Sequence, residues 1–200
     1  MTPTDLVNMA LAHIGSTRVD SITDSGEPQE YGLLFWPIAR QLFIQQSKIH
    51  KARKEEALSL AAGEDSEIYD YVYHYPTNIL VPISIWPGGT SSEKVKYETG
   101  THSSLTKSVI KTDKEDAVLI YCTDITNLDV FNPLDILAIS YMLAILLVMP
   151  LKKEDDLLVK LEAGYRIALS NAIVNDRNSQ QKDVLDIENQ FSWILDARKS

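Results

Sequence analysis

Cysteine is nearly absent from this chain: Cys122 stands alone, so no intrachain disulfide can form. Histidine is almost as scarce, and His13, His50, His74 and His102 are each more than twenty residues apart, a spacing that no zinc module uses. Basic residues are in deficit too. Nineteen Lys and Arg against 28 Asp and Glu leave a net charge of -9, which on balance repels phosphate and argues against a general nucleic-acid binder. Behind Met1-Thr2-Pro3-Thr4-Asp5 no basic stretch leads into an apolar one, so no secretory leader is read there. The longest apolar stretch, Leu134 to Met149, is 16 residues, includes Asp135, and falls short of the roughly 20 needed to cross a bilayer. Together these shortages predict a soluble protein made in a reducing compartment, with no membrane partner.

What is present suffices for a core. A chain of 200 residues with 44% hydrophobic content hides roughly 70% of its unfolded surface, which fits one domain or one domain with an insertion. Thr2 as N-cap, Pro3 at the first helical position and Asp5 as the acid of a capping box predict a first helix. Leu6, Met9, Ala10 and Ile14 share its apolar face, and Gly15 stops it. After a polar loop, Pro28 opens a second helical pattern with Tyr31, Leu34, Phe35, Ile38, Leu42 and Phe43 on its apolar side, kinked or divided at Pro37. Ala57, Leu58 and Leu60 are read as a further helical stripe, ended by Gly63-Glu64-Asp65.

From Tyr69 the texture changes. Tyr71, Tyr73 and Tyr75 alternate, Ile79 to Trp86 and Val118 to Tyr121 are β-branched and aromatic, and Pro76, Pro82, Pro87, Gly88, Gly89 and Gly100 punctuate the stretch, which predicts a small antiparallel sheet. Asn132-Pro133 starts another helix, apolar on nearly every side and terminated by Pro150. A last helix from about Glu154 places Leu157, Leu161, Tyr165, Ala168 and Ala172 at steps of four, four, three and four. Asn178-Ser179-Gln180-Gln181 reads as a polar break before an apolar tail. The expected architecture is therefore α+β. Residues 1–68 and 130–178 form a mainly helical bundle, 69–129 an inserted small antiparallel β domain, and 179–200 a C-terminal arm.

No constellation designates a catalytic centre. Cys122 lies in an apolar run, where desolvation raises a thiol's pKa and opposes nucleophilic use. Glu55-Glu56 and Asp155-Asp156 are neighbours that point about 100° apart in a helix, so neither pair shares a site. Gly88-Gly89 lacks the lysine of a phosphate loop, and no Gly-x-Ser-x-Gly elbow occurs. Tyr71, Tyr73 and Tyr75 are more simply one face of a half-buried strand than a stacking platform for bases. Catalytic, cofactor-binding and metal-binding residues are accordingly read as none, and cofactors as none. Lys48, Lys51, Arg53 and Lys54 offer a contact to a phosphate backbone or an acidic protein, another subunit or a tail protein among them, but four cations beside two anions read more simply as a solvated face. The tail residues Val184, Ile187, Phe191, Trp193, Ile194 and Leu195 need a surface to cover, and apolar pattern alone does not say whether it is their own bundle or another molecule.

Leu6-Val7-Asn8-Met9-Ala10-Leu11-Ala12-His13-Ile14-Gly15, an acidic loop and then Tyr31 to Leu42 open the chain. Tyr73-His74-Tyr75-Pro76-Thr77-Asn78-Ile79-Leu80 enters the β segment, Phe131-Asn132-Pro133 opens the helix ending near Pro150, and Tyr165, Ala168-Leu169 and Ala172 close the pattern. In order and spacing, over residues 5 to 175, this resembles the head-to-tail adaptors (connectors) of short-tailed phages, the tail tubular protein A-like family. Where members commonly carry an aromatic pair before an alanine and a basic residue, this chain has Ile49-His50-Lys51-Ala52-Arg53. The resemblance implies a structural virion protein at the head-tail junction, made in the host cytoplasm and not an enzyme. It implies a ring of identical subunits, usually twelve, between the portal protein and a tail or nozzle protein. Double-stranded DNA would pass through without specific binding, during ejection and after packaging is complete. It also favours an outward, portal-binding role for Val184 to Leu195. The competing expectations are a virion-associated cell-wall hydrolase, which needs a carboxylate or histidine of perturbed pKa in a cleft, and a scaffolding dimer that never enters a particle.

Overall fold

Thr2 caps the first helix, α1 (Pro3–His13), as its sequence requires: the Thr2 Oγ1 accepts from the Asp5 N–H at 3.2 Å, and the Asp5 carboxylate accepts from the Thr2 N–H at 2.9 Å. The computed structural model describes residues 1–61, 66–86, 95–101 and 108–196, with side chains as far as 179. The fold is α+β, and the chain divides into two units, Met1–Ile49 with Thr126–Ser200, and His50–Ile125.

In the first unit α1 is followed by α2 (Glu27–Ser47), α3 (Pro133–Leu151) and α4 (Asp155–Asp196). Asn132 repeats at α3 the capping box of α1, exchanging hydrogen bonds of 2.9 and 3.0 Å with Asp135. α3 packs against α1, α2 and α4, which explains an apolar sequence with no polar face: Ile136, Ala138, Ile139, Met142, Leu143, Ala144, Leu147 and Val148 are all buried. At 19 residues α3 is longer than the apolar stretch read from the sequence, and by length and composition it could cross a membrane, yet over half of it is buried in its own unit. Pro37 neither ends nor divides α2, which continues through it to Ser47. The loop between α1 and α2 is fastened by buried Val19 and Ile22.

The second unit begins at His50, so the insertion is 50–125 rather than 69–129. Lys48 closes α2 in the left-handed conformation (φ 50°), and the chain then enters a short 3₁₀ turn, His50–Ala52, and strand β1, Arg53–Ala57. No helix forms over Ala57 to Leu60. Arg-Lys-Glu-Glu-Ala is a good helix sequence, but its backbone pairs with β6 (Val118–Thr123), Arg53 opposite Cys122 and Ala57 opposite Val118, and this ladder overrides local preference.

Instead of one sheet there are two, each antiparallel with three strands. One has the order β1-β6-β3, with β3 at Ile79–Trp86; the other has the order β2-β5-β4, with β2 at Tyr71–His74, β4 at Tyr97–Thr101 and β5 at Ser108–Thr112. Pro82 is accommodated on edge strand β3, where the register with β6 shifts between Pro82 and Ser84. Tyr73, Ile85, Ile110, Ala117, Leu119 and Tyr121 form the core, with Tyr71, Tyr75 and Tyr97 packed against it. The alternating tyrosines thus serve packing, and the Tyr73 hydroxyl donates to the Lys114 carbonyl at 2.7 Å. The turn read at Gly88-Gly89 and the stop at Gly63-Glu64-Asp65 lie outside the described residues.

Candidate docking surface

The face of α2 that the sequence pattern assigned to the core points outward along its first half. Leu34 is 57% and Ile38 41% exposed, and Leu33 beside them is 50% exposed, while Gly32, Ala39, Arg40, Phe43 and Ile44 are buried. Small residues decide the orientation. A Cβ on Gly32 would lie 2.9 Å from Val7 Cγ1, so the approach of α1 to α2 at that position requires glycine. The bulky stripe is thereby turned outward, with Tyr31 and Phe35 stacked at 6.0 Å between ring centres. Buried Arg40 lays its guanidinium over the Trp36 ring at 4.5 Å.

Of the stripe read from the sequence, Leu161, Tyr165, Ala168 and Ala172 of α4 are buried while Leu157 is half-buried, and buried Asp176 extends it. A Cβ on Gly164 would lie 2.7 Å from Tyr141 Cε1 of α3, so this glycine sets the α3–α4 approach. The Tyr165 hydroxyl donates to Gln46 Oε1 of α2 at 2.7 Å, and burial pushes its pKa up to about 12. Beside it, Gln46, Met142, Ile145, Glu162, Arg166 and Leu169 line an open groove of about 340 Å³. On the other side of α4, Val159, Ile167 and Val174 are 66%, 65% and 51% exposed. The polar break at Asn178-Ser179-Gln180-Gln181 is absent: α4 runs through it to Asp196, so the arm at 179–200 is not a separate linker and tail. The side chains of Val184, Ile187, Phe191, Trp193, Ile194 and Leu195 lie outside the described residues.

The basic run is not one face. Lys48 is the cap of α2, Lys51 sits in the 3₁₀ turn, and Arg53 and Lys54 are adjacent on β1, whose side chains alternate across the strand. Lys48 belongs to the first unit and the other three to the second. Arg53 Nη1 lies 2.9 Å from His50 Nε2.

The groups with chemical potential are engaged in packing. Glu55 and Glu56 are neighbours on a strand rather than a helix, and strand geometry sends them to opposite faces. Glu56 accepts from the Tyr121 hydroxyl at 2.8 Å; burial, then this carboxylate, pushes the tyrosine up to about 12. Cys122 is fully buried. His13 Nε2 lies 3.1 Å from Ser140 Oγ, but Ser140 is fully buried and its hydroxyl donates to the Leu137 carbonyl at 2.8 Å. Burial holds the His13 pKa below its ordinary value. Among the described residues no group of three or more His, Cys, Asp or Glu could hold a metal ion. Sequence reasoning did not single out the buried polar residues Asn8, Arg40 and Asp176; Arg40, between Trp36 and Phe43–Ile44, and Asp176, after Ala172, stand at otherwise apolar positions of a helical period, a signal that could have found those two. No protein-family model matches the chain, and no curated protein is significantly similar to it.

Proposed function

We propose that this protein is a structural connector of a phage particle. Identical copies form a ring beneath the portal of the filled head, extend the DNA channel and present a surface to the tail or nozzle protein. The observation that carries the reading is α4. It has 42 residues, twice the length of α2 and more than twice that of α3, and among its described side chains, which reach residue 179, the last buried one is Asp176. Beyond that point the same helix carries Val184, Ile187, Phe191 and Ile194 at steps of three, four and three, the spacing of a helix face that docks in a groove. The portal is the surface this arm would cover. A net charge of -9 suits a channel that DNA must traverse, since each phosphate neutralised adds sequence-independent affinity.

Mass measurement of the full chain, alone and mixed with portal, tests the reading. A ring assembled on the portal supports it, and a stable isolated dimer indifferent to portal overturns it. Removing residues 180–200 should abolish docking while the melting transition of the remainder persists; docking that survives the deletion removes the arm from the mechanism.

A further inference from the structure

We draw no further inference here: the strongest candidate, the outward apolar face of α2 formed by Leu33, Leu34 and Ile38, carries nothing because nothing in the structure shows what covers it.

Discussion

Asn8 and Val19 are joined by two hydrogen bonds that imitate a backbone pair: the Asn8 amide nitrogen donates to the Val19 carbonyl at 2.9 Å, and its oxygen accepts from the Val19 N–H at 2.8 Å. Both residues are buried. One side chain of α1 thereby satisfies the main chain of the loop leading to α2, where no secondary structure could. Removing it leaves a buried donor and acceptor without partners, which costs more than the bonds themselves contribute. Asn8→Ala should therefore lose about 3 kcal/mol, read by urea unfolding of the full chain. Asn8→Asp should also destabilise, because a carboxylate cannot donate to Val19. Unchanged stability in either variant means that the loop is held by Val19 and Ile22 packing alone.

Gly164 and Tyr141 set a second close approach, with His13 stacked on the same tyrosine at 4.1 Å between ring centres and 17° between planes. Gly164→Ala gains roughly 1 kcal/mol of helix propensity, but the new methyl meets ring atoms that His13 restrains, and overpacking of this kind costs roughly 1–3 kcal/mol. A net destabilisation of about 1 kcal/mol is expected. In a Tyr141→Ala background the obstacle is gone and the same change should become stabilising. A matching sign in both backgrounds would show that the two positions are not coupled.

These two contacts mark where sequence reading succeeds and where it stops. Helix starts were legible because they are local chemistry: Thr2 with Asp5, and Asn132 with Asp135, cap helices through residues three positions apart. The α4 stripe was legible because it lies on the side that faces α3. The face of α2 was not, since its orientation depends on Gly32 meeting Val7, a fact of two helices that no periodicity in one contains. Residues 53–57 were misread for a similar reason: their partner, β6, lies some sixty positions away. At the docking surface the apolar positions of α2 were visible in the sequence while their exposure was not, and the outward valines and isoleucine of α4 passed unnoticed because they fall off the buried stripe.

His13 makes stability depend on acid. Burial lowers its folded pKa below the ordinary 6.5, so the unfolded chain takes up this proton first as pH falls. The contribution is fully present above 6.5 and is lost as pH drops through the folded value. His13→Phe keeps a ring against Tyr141 and removes the titration. The melting temperature of the parent should therefore fall relative to this variant between pH 7.5 and pH 5, a range chosen about the ordinary pKa. Parallel curves would mean that His13 is solvated enough to titrate as in the unfolded chain.

Tyr121 and Tyr165 reverse that dependence at the alkaline end. Each is held neutral by burial, and each is pushed up to about 12 from an ordinary value of 10.0. The unfolded chain releases these protons near 10, so the stabilisation is complete below that pH and is lost as pH rises toward 12. The two residues sit in different units, so each variant reports on its own core. Tyr165→Phe gives up the bond to Gln46, costing roughly 1 kcal/mol at neutral pH, yet it also removes the titration, so its deficit should shrink as pH passes 10. Tyr121→Phe should do the same through the lost bond to Glu56, with one difference. The Glu56 carboxylate contributes to the upward shift of Tyr121, so Glu56→Gln should bring its ionisation to lower pH, visible in the phenolate absorbance, and should leave Tyr165 unmoved. A Tyr121 titration indifferent to Glu56→Gln would assign the whole shift to burial.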